Sequence, residues 1–222
     1  SFEATALAVC APKALLARGV PYPFFGVIPA TTLIAKGSVE QREPPSRPWK
    51  DRSLTDIGPK LGGYPENELE TTVSLDMQRL KKNTLEPVNA PFDAALELSA
   101  NAFAIVDFGQ NLTGFPQLEV SCTQPSKLVF TFDEMLDNGD VNWRRLGCVN
   151  AVTYTLAPGT YSLEAFEPYT MRYGKAIVLE GACTVSRVGL RLYENPDTAR
   201  AAFASADARL NLLFEAGRST FA

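Results

Sequence analysis

Between residues 101 and 194 the chain is cut into short apolar runs, nearly every one closed by turn residues. Phe103 to Phe108 is an apolar run closed by Asp107 and Gly109. Leu118-Glu119-Val120 is brief, and Leu128, Phe130 and Phe132 alternate with Val129, Thr131 and Asp133. Asp137-Asn138-Gly139-Asp140 carries Asn-Gly, a strong hairpin signal. Val152 to Leu156 runs into Ala157-Pro158-Gly159, and Ile177 to Leu179 with Val188, Leu190 and Leu192 complete the set. Side chains alternate across a strand with a period of two, so such runs each present one apolar face. Many short strands with frequent turns and few helical stretches point to an all-β fold, an antiparallel β-sandwich, over 101–194.

The flanks are less regular. Residues 4–10 read as a short strand, and residues 1–100 as an irregular segment with a few strands that belongs to the sandwich or packs on it. Ser38 to Glu68 is rich in Pro, Gly and charge and reads as loop. Thr71, Val73, Leu75 and Met77 alternate with Thr72, Ser74 and Asp76, the pattern of a half-buried strand. Beyond residue 194 the pattern changes. Leu210, Leu213, Phe214, Gly217 and Phe221 form the stripe of an amphipathic helix, with Ser205 as a candidate N-cap and Asp207 near the positive helix end. A helix with such a stripe wants a partner surface, so 207–221 is a candidate for weak homo-oligomeric contact.

Composition narrows the chemistry. With 222 residues and 45% apolar content the chain can bury a sizeable core. A net charge of −4 gives no basic footprint for nucleic acid, and no apolar run is long enough to span a bilayer. The chain has no histidine, which excludes Ser-His-Asp and Cys-His catalysis within it and removes the commonest metal ligand. Cys10, Cys122, Cys148 and Cys183 are widely spaced with no C-x-x-C pair, so zinc is not expected. These cysteines read as small buried apolar residues, with disulfide pairing left open. No phosphate-binding loop is present, Gly62-Gly63 being a turn signal, and no cofactor or metal is expected. Asp137 to Asp140 lacks the spacing of a calcium loop and reads as a plain turn.

Two groups of residues are candidates for ligand contact. Asp107, Gln110 and Asn111 sit where a strand meets a turn; their side chains can bond a hydroxyl or, as is common there, their own backbone. Trp143 with Arg144 and Arg145 can stack on a ring or pair with carboxylates, or Trp143 can pack in a core or domain interface.

Several segments, in one order, are similar to the bacterial α-L-rhamnosidases of glycoside hydrolase family 78. Asp107-Phe108-Gly109-Gln110-Asn111-Leu112-Thr113-Gly114 resembles the family's D-F-G-Q-N-x-x-G, and Glu134-Met135-Leu136 with the turn after it resembles its E-M-L. Arg145 falls near its L-R, Tyr154-Thr155-Leu156 with Gly159 near its Y-x-L-x-G, and Glu167-Pro168 with Gly174 and Gly181 near its E-P block. Leu15 to Pro21 resembles an upstream L-x-x-R-x-I-P. The best-matched stretch runs from about Phe103 to Tyr193. The E-P block departs from the pattern: Arg172-Tyr173-Gly174-Lys175-Ala176-Ile177 stands where the family has His-Gly-Phe-Arg-Tyr.

The resemblance implies a parent that hydrolyses terminal α-L-rhamnosides with inversion, periplasmic or extracellular in location. It implies that 195–222 is a linker and the first helix of an (α/α)6 catalytic barrel, the chain's expected partner, whose acidic catalytic stretch falls beyond Ala222. This chain would then be a non-catalytic antiparallel β-sandwich of jelly-roll or concanavalin-like type; the alternatives are an autonomous carbohydrate-binding module or a purely structural domain. An inverting enzyme needs two carboxyl groups about 6.5–9.5 Å apart. Asp133 and Glu134, with Asp137 and Asp140 nearby, form the only tempting cluster, but neighbouring strand residues point to opposite faces. No catalytic residue is expected here. The sugar-contact candidates are Asp107, Gln110, Asn111, Glu134, Trp143 and Arg145, facing a rhamnose-containing glycan.

Overall fold

A computed structural model describes residues 19, 22–46, 49 and 72–221. The expected strand at 4–10 lies outside the described residues. The described chain divides into two units, one from Phe24 to Glu194 and one that includes Asn195 to Ala222.

The first unit is a β-sandwich built around one long strand. The strands are β1 (Val27–Pro29), β2 (Thr32–Gln41), β3 (Leu80–Pro91), β4 (Leu96–Ser99) and β5 (Ala102–Cys122). They continue as β6 (Ser126–Asp133), β7 (Leu136–Asp137), β8 (Asp140–Val141), β9 (Ala151–Leu156), β10 (Gly159–Glu164), β11 (Tyr169–Glu180) and β12 (Ala182–Leu192). All pairings are antiparallel. The N-terminal part of β5 pairs with β2 and β11, giving the layer β3-β2-β5-β11-β6-β9. Its C-terminal part, from Gly114 to Cys122, pairs with β12, which also carries β1 and β4, and from Gln117 to Cys122 with β10. One strand thus belongs to both layers, because it bends between them.

A bulge interrupts β5 before it passes to the second layer. On β11, Met171 faces Leu112 and Tyr173 faces Asp107, so Phe108 to Asn111 of β5 stand opposite Arg172 alone. Gly109 turns the chain there at φ +83°, a conformation natural to glycine. The Asp107 carboxylate accepts the Gly109 N–H at 2.7 Å and fixes the excursion. The strand expected to end near residue 107 therefore bulges and continues.

Alternation sorts the side chains into two apolar clusters. Ala104, Val106, Leu128, Phe130, Phe132, Ala176 and Val178 from one layer meet Leu118, Val120, Val185, Val188 and Leu190 from the other, forming the core between the layers. Phe103, Ile105, Val129 and Ile177 point to the opposite face of the first layer. Helix α1 (Thr72–Gln78) contributes Met77 to this second cluster, and the β6–β9 connection contributes Val141 and Trp143.

Two upstream expectations are corrected. Residues 72–78 are helical, not a strand. Seven residues hold fewer than two helical turns, too short a window to separate period 2 from period 3.6, and here burial of Met77 on the sheet decides. Ser38 to Gln41, read as loop, completes β2 and pairs with β3, itself a strand with few apolar residues. The Asn138-Gly139 turn is as expected: both residues have positive φ, and β7 pairs with β8 across them.

In the second unit, Pro196–Arg200 is a 3-10 turn and α2 (Ala208–Thr220) is the C-terminal helix. Asp207, not Ser205, is its N-cap, with Oδ1 accepting the Arg209 N–H at 2.9 Å. Ser205 Oγ accepts the Asp207 N–H one step upstream. Among the described residues no helix is long and apolar enough to cross a membrane.

Candidate carbohydrate-contact site

Register brings part of the expected site into one row. Asp107 on β5 faces Tyr173 on β11, and Tyr173 faces Asp133 on β6. Partners in register share a face, so these three side chains line one end of the outer face of the first layer.

Three acidic groups near this end, Asp107, Asp133 and Asp140, are tied to bases. Asp107 accepts two bonds from Arg172, Nε to Oδ1 and Nη2 to Oδ2, both 3.0 Å. The same guanidinium lies 5.0 Å over the Tyr173 ring. Asp133, almost fully buried, accepts from Arg145 Nε at 2.5 Å and from the N–H groups of Glu134 and Asn142. Arg145 also reaches the Met135 carbonyl. The carboxylates hold both guanidinium pKa values above the usual arginine range. Asp140 accepts from Lys175 Nζ at 2.6 Å and lies 3.7 Å from Lys82. Burial pushes Lys175 below the ordinary lysine value, and Asp140 only partly offsets this. The ammonium sits 3.8 Å over the Phe103 ring.

Arg172 and Lys175 directly flank Tyr173 and Gly174 on β11, and each anchors a carboxylate from another strand. Gln110, Asn111 and Glu134 are exposed. Gln110 and Asn111 ride on the β5 excursion, and Glu134 follows β6.

Trp143 belongs to a different feature. It forms one wall of a cavity of about 400 Å³, with Trp49, Met77, Gln78, Leu80 and Arg144 around it. The two indole rings meet edge to face, centroids 5.6 Å apart at 87°. Gln78 clamps Trp49 from both sides: its Oε1 accepts the Trp49 N–H at 2.6 Å and its Nε2 donates to the Trp49 carbonyl at 2.8 Å. The Arg144 guanidinium lies 5.9 Å from the Trp143 ring centre. These are the chain's two tryptophans. Sequence reading singled out Trp143 and missed Trp49 and Gln78. The available signal was a tryptophan inside a proline-rich polar segment, an unusual place for a large apolar side chain.

No cluster of three or more metal-ligating side chains occurs among the described residues. Chemically, the ion-pair row can brace strands and the cavity can stack against an apolar sugar face.

The two bridged layers define the class of this domain: a concanavalin-like β-sandwich. Residues 99–182 match the family model of the bacterial alpha-L-rhamnosidase concanavalin-like domain, so through this domain the chain is related to bacterial α-L-rhamnosidases. Comparison with curated proteins finds no match. Among solved structures it is similar to a rhamnosidase from Klebsiella oxytoca with rhamnose bound (16% identity, TM-score 0.44, 81% of this chain and 32% of that one). It is also similar to a GH78 family rhamnosidase of Bacillus sp. GL1 (16% identity, TM-score 0.49, 64% and 18%). A third is the α-L-rhamnosidase from Aspergillus terreus (25% identity, TM-score 0.31, 43% and 12%). The chain spans about a third of the first of these proteins and less of the others.

Proposed function

We propose that this chain is a non-catalytic sandwich portion of an α-L-rhamnosidase, whose parent removes terminal α-L-rhamnose by an inverting mechanism carried in another domain. The observation that carries the reading is the engagement of the acids. Asp107, Asp133 and Asp140 each hold a basic partner. An inverting site needs one free carboxylic acid and one carboxylate that faces a water. The tryptophan cavity has no carboxylate in its lining, and another cavity among the described residues, against β4 and β12, has Glu97 alone. The sandwich then serves to pack beside the catalytic barrel and hold it. The purified chain, incubated with an aryl α-L-rhamnoside, is expected to release phenol no faster than buffer. Release above buffer that is lost on Glu134→Gln overturns the reading.

A second reading is favoured by the paired tryptophans. A cavity of about 400 Å³ fits one sugar residue, and an indole face suits the apolar face of a deoxy sugar. In this reading Trp143 and Trp49 hold a rhamnosyl unit of the glycan. Gln110 and Asn111, exposed on the β5 excursion, Glu134, exposed after β6, and the Asp107 and Arg145 pairs offer further hydroxyl contacts. Because both tryptophans line the cavity, intrinsic fluorescence reports on it directly. Titration with L-rhamnose should give a saturable change in emission that Trp143→Phe abolishes. A flat titration to high millimolar sugar removes this reading and leaves the structural one.

A further inference from the structure

Cys122 closes β5, Cys183 lies at the start of β12, and the two residues are direct cross-strand partners. Their side chains therefore leave the sheet on the same face, into the core between the layers, where they are 6% and 3% exposed. Both are free thiols, with sulfur atoms 3.3 Å apart. Directly opposed residues of an antiparallel pair have Cα atoms about 4.5–5.5 Å apart. That range lies inside the roughly 4.4–6.8 Å that a disulfide spans, so a bond needs only side-chain rotation. We propose that Cys122 and Cys183 form a disulfide in an oxidising medium, with a small-molecule disulfide as oxidant, stapling β5 to β12.

The chemistry is thiol–disulfide exchange. One cysteine loses its proton and attacks a sulfur of the donor disulfide, expelling one donor thiolate, which takes up a proton. The second cysteine then loses its proton and attacks the protein sulfur of the mixed disulfide, expelling the other donor thiol. Two cysteine thiols and one donor disulfide become one protein disulfide and two donor thiols.

The surroundings set when this happens. Burial first, and then the hydrogen bond with Cys122, push the Cys183 thiol up to about 12. The folded chain therefore presents little thiolate, and exchange is fast only while the strands are still assembling. Cys183 also lines a cavity of about 370 Å³ with Ser121, Thr123 and Glu97, which gives a slower route to the folded pair. The bond closes a long loop, with 61 positions separating the two cysteines, so its effect on the unfolded chain is large.

The test is refolding of the full chain in a glutathione redox buffer, followed by mass spectrometry of the unreduced protein and its proteolytic map. The expected result is a loss of two hydrogens per chain, a cross-link between the Cys122 and Cys183 peptides, and Cys148 still alkylatable. The oxidised chain should melt about 5–15 °C above the reduced one. The double variant Cys122→Ala, Cys183→Ala should melt at one temperature in both buffers. A chain that emerges fully reduced from the oxidising buffer, or one that links either cysteine to Cys10 or Cys148 instead, overturns the proposal. Both outcomes are read on the unaltered chain, so they stand even if the double variant does not fold.

Discussion

At the scale of single residues, sequence could name the charged groups but not their partners. Asp107 meets Arg172 across 65 positions of chain and Asp140 meets Lys175 across 35. Such pairs follow from register, which no local pattern reveals. Asp133 and Arg145 are closer, 12 positions apart, and both were in view as separate candidates. Lys175 is the most telling of the group, because an alternating strand position buried a cation. Its folded-state pKa lies below its unfolded value, since burial penalises the charged form more than Asp140 supports it. At neutral pH both states hold the proton and the penalty is fully present. As pH rises through the folded value the folded chain sheds its proton first, so the unfolded chain binds more protons and stability rises. Urea unfolding from pH 7 to pH 10 should show the wild type gaining stability relative to Lys175→Met. A constant difference across that range would show that Lys175 keeps an ordinary lysine pKa.

At the scale of elements, strands with strict alternation were legible and those without it were not. β6, β9 and β12 followed the apolar pattern of 126–192. β3 did not, because Leu80 to Pro91 exposes most of its side chains and leans on β2 alone. The glycines of the family-like segments separate two roles. Gly109 at the β5 excursion has positive φ with open space around it, whereas at Gly181 a Cβ would lie 2.3 Å from both the Pro125 carbonyl and Ser126 Oγ. Gly109→Ala should therefore cost about 1–2 kcal/mol from backbone conformation alone. Gly181→Ala adds a clash with backbone and should cost about 3 kcal/mol or more. Chemical denaturation distinguishes them, and equal losses would refute the steric argument. The C-terminal helix was legible from its stripe, and Leu210, Leu213 and Phe221 are exposed while Phe214 stacks on Phe203 at 5.3 Å. Each buried leucine or phenylalanine is worth roughly 1.5–3 kcal/mol, so two copies gain by covering the stripe. Sedimentation of the chain beside a version ending at Asn195 should show weak, concentration-dependent association of the longer form. Identical monomeric behaviour at high concentration would remove the stripe as a contact.

At the scale of the whole molecule, the order of short motifs carried more than any one of them. The stretch from Phe103 to Tyr193 that resembled rhamnosidases overlaps the matched residues 99–182 closely. The bridging of two layers by β5 was not legible, because its bulge, with four residues standing opposite one, and its register with β12 both depend on distant strands. Nor was the tryptophan cavity, which joins residues 94 positions apart through α1 and the β6–β9 connection. Asp107, Asp133 and Asp140 brace the strands of the sandwich, and the proposed non-catalytic role rests on that engagement. Proton NMR of an aryl α-L-rhamnoside held with a high concentration of the chain tests this most directly, because the anomeric signals resolve substrate from each rhamnose anomer. The account predicts a spectrum unchanged over days beside a buffer control. Rhamnose accumulating first as the β anomer, at a rate proportional to chain concentration, would contradict it by placing an inverting acid–base pair within these 222 residues.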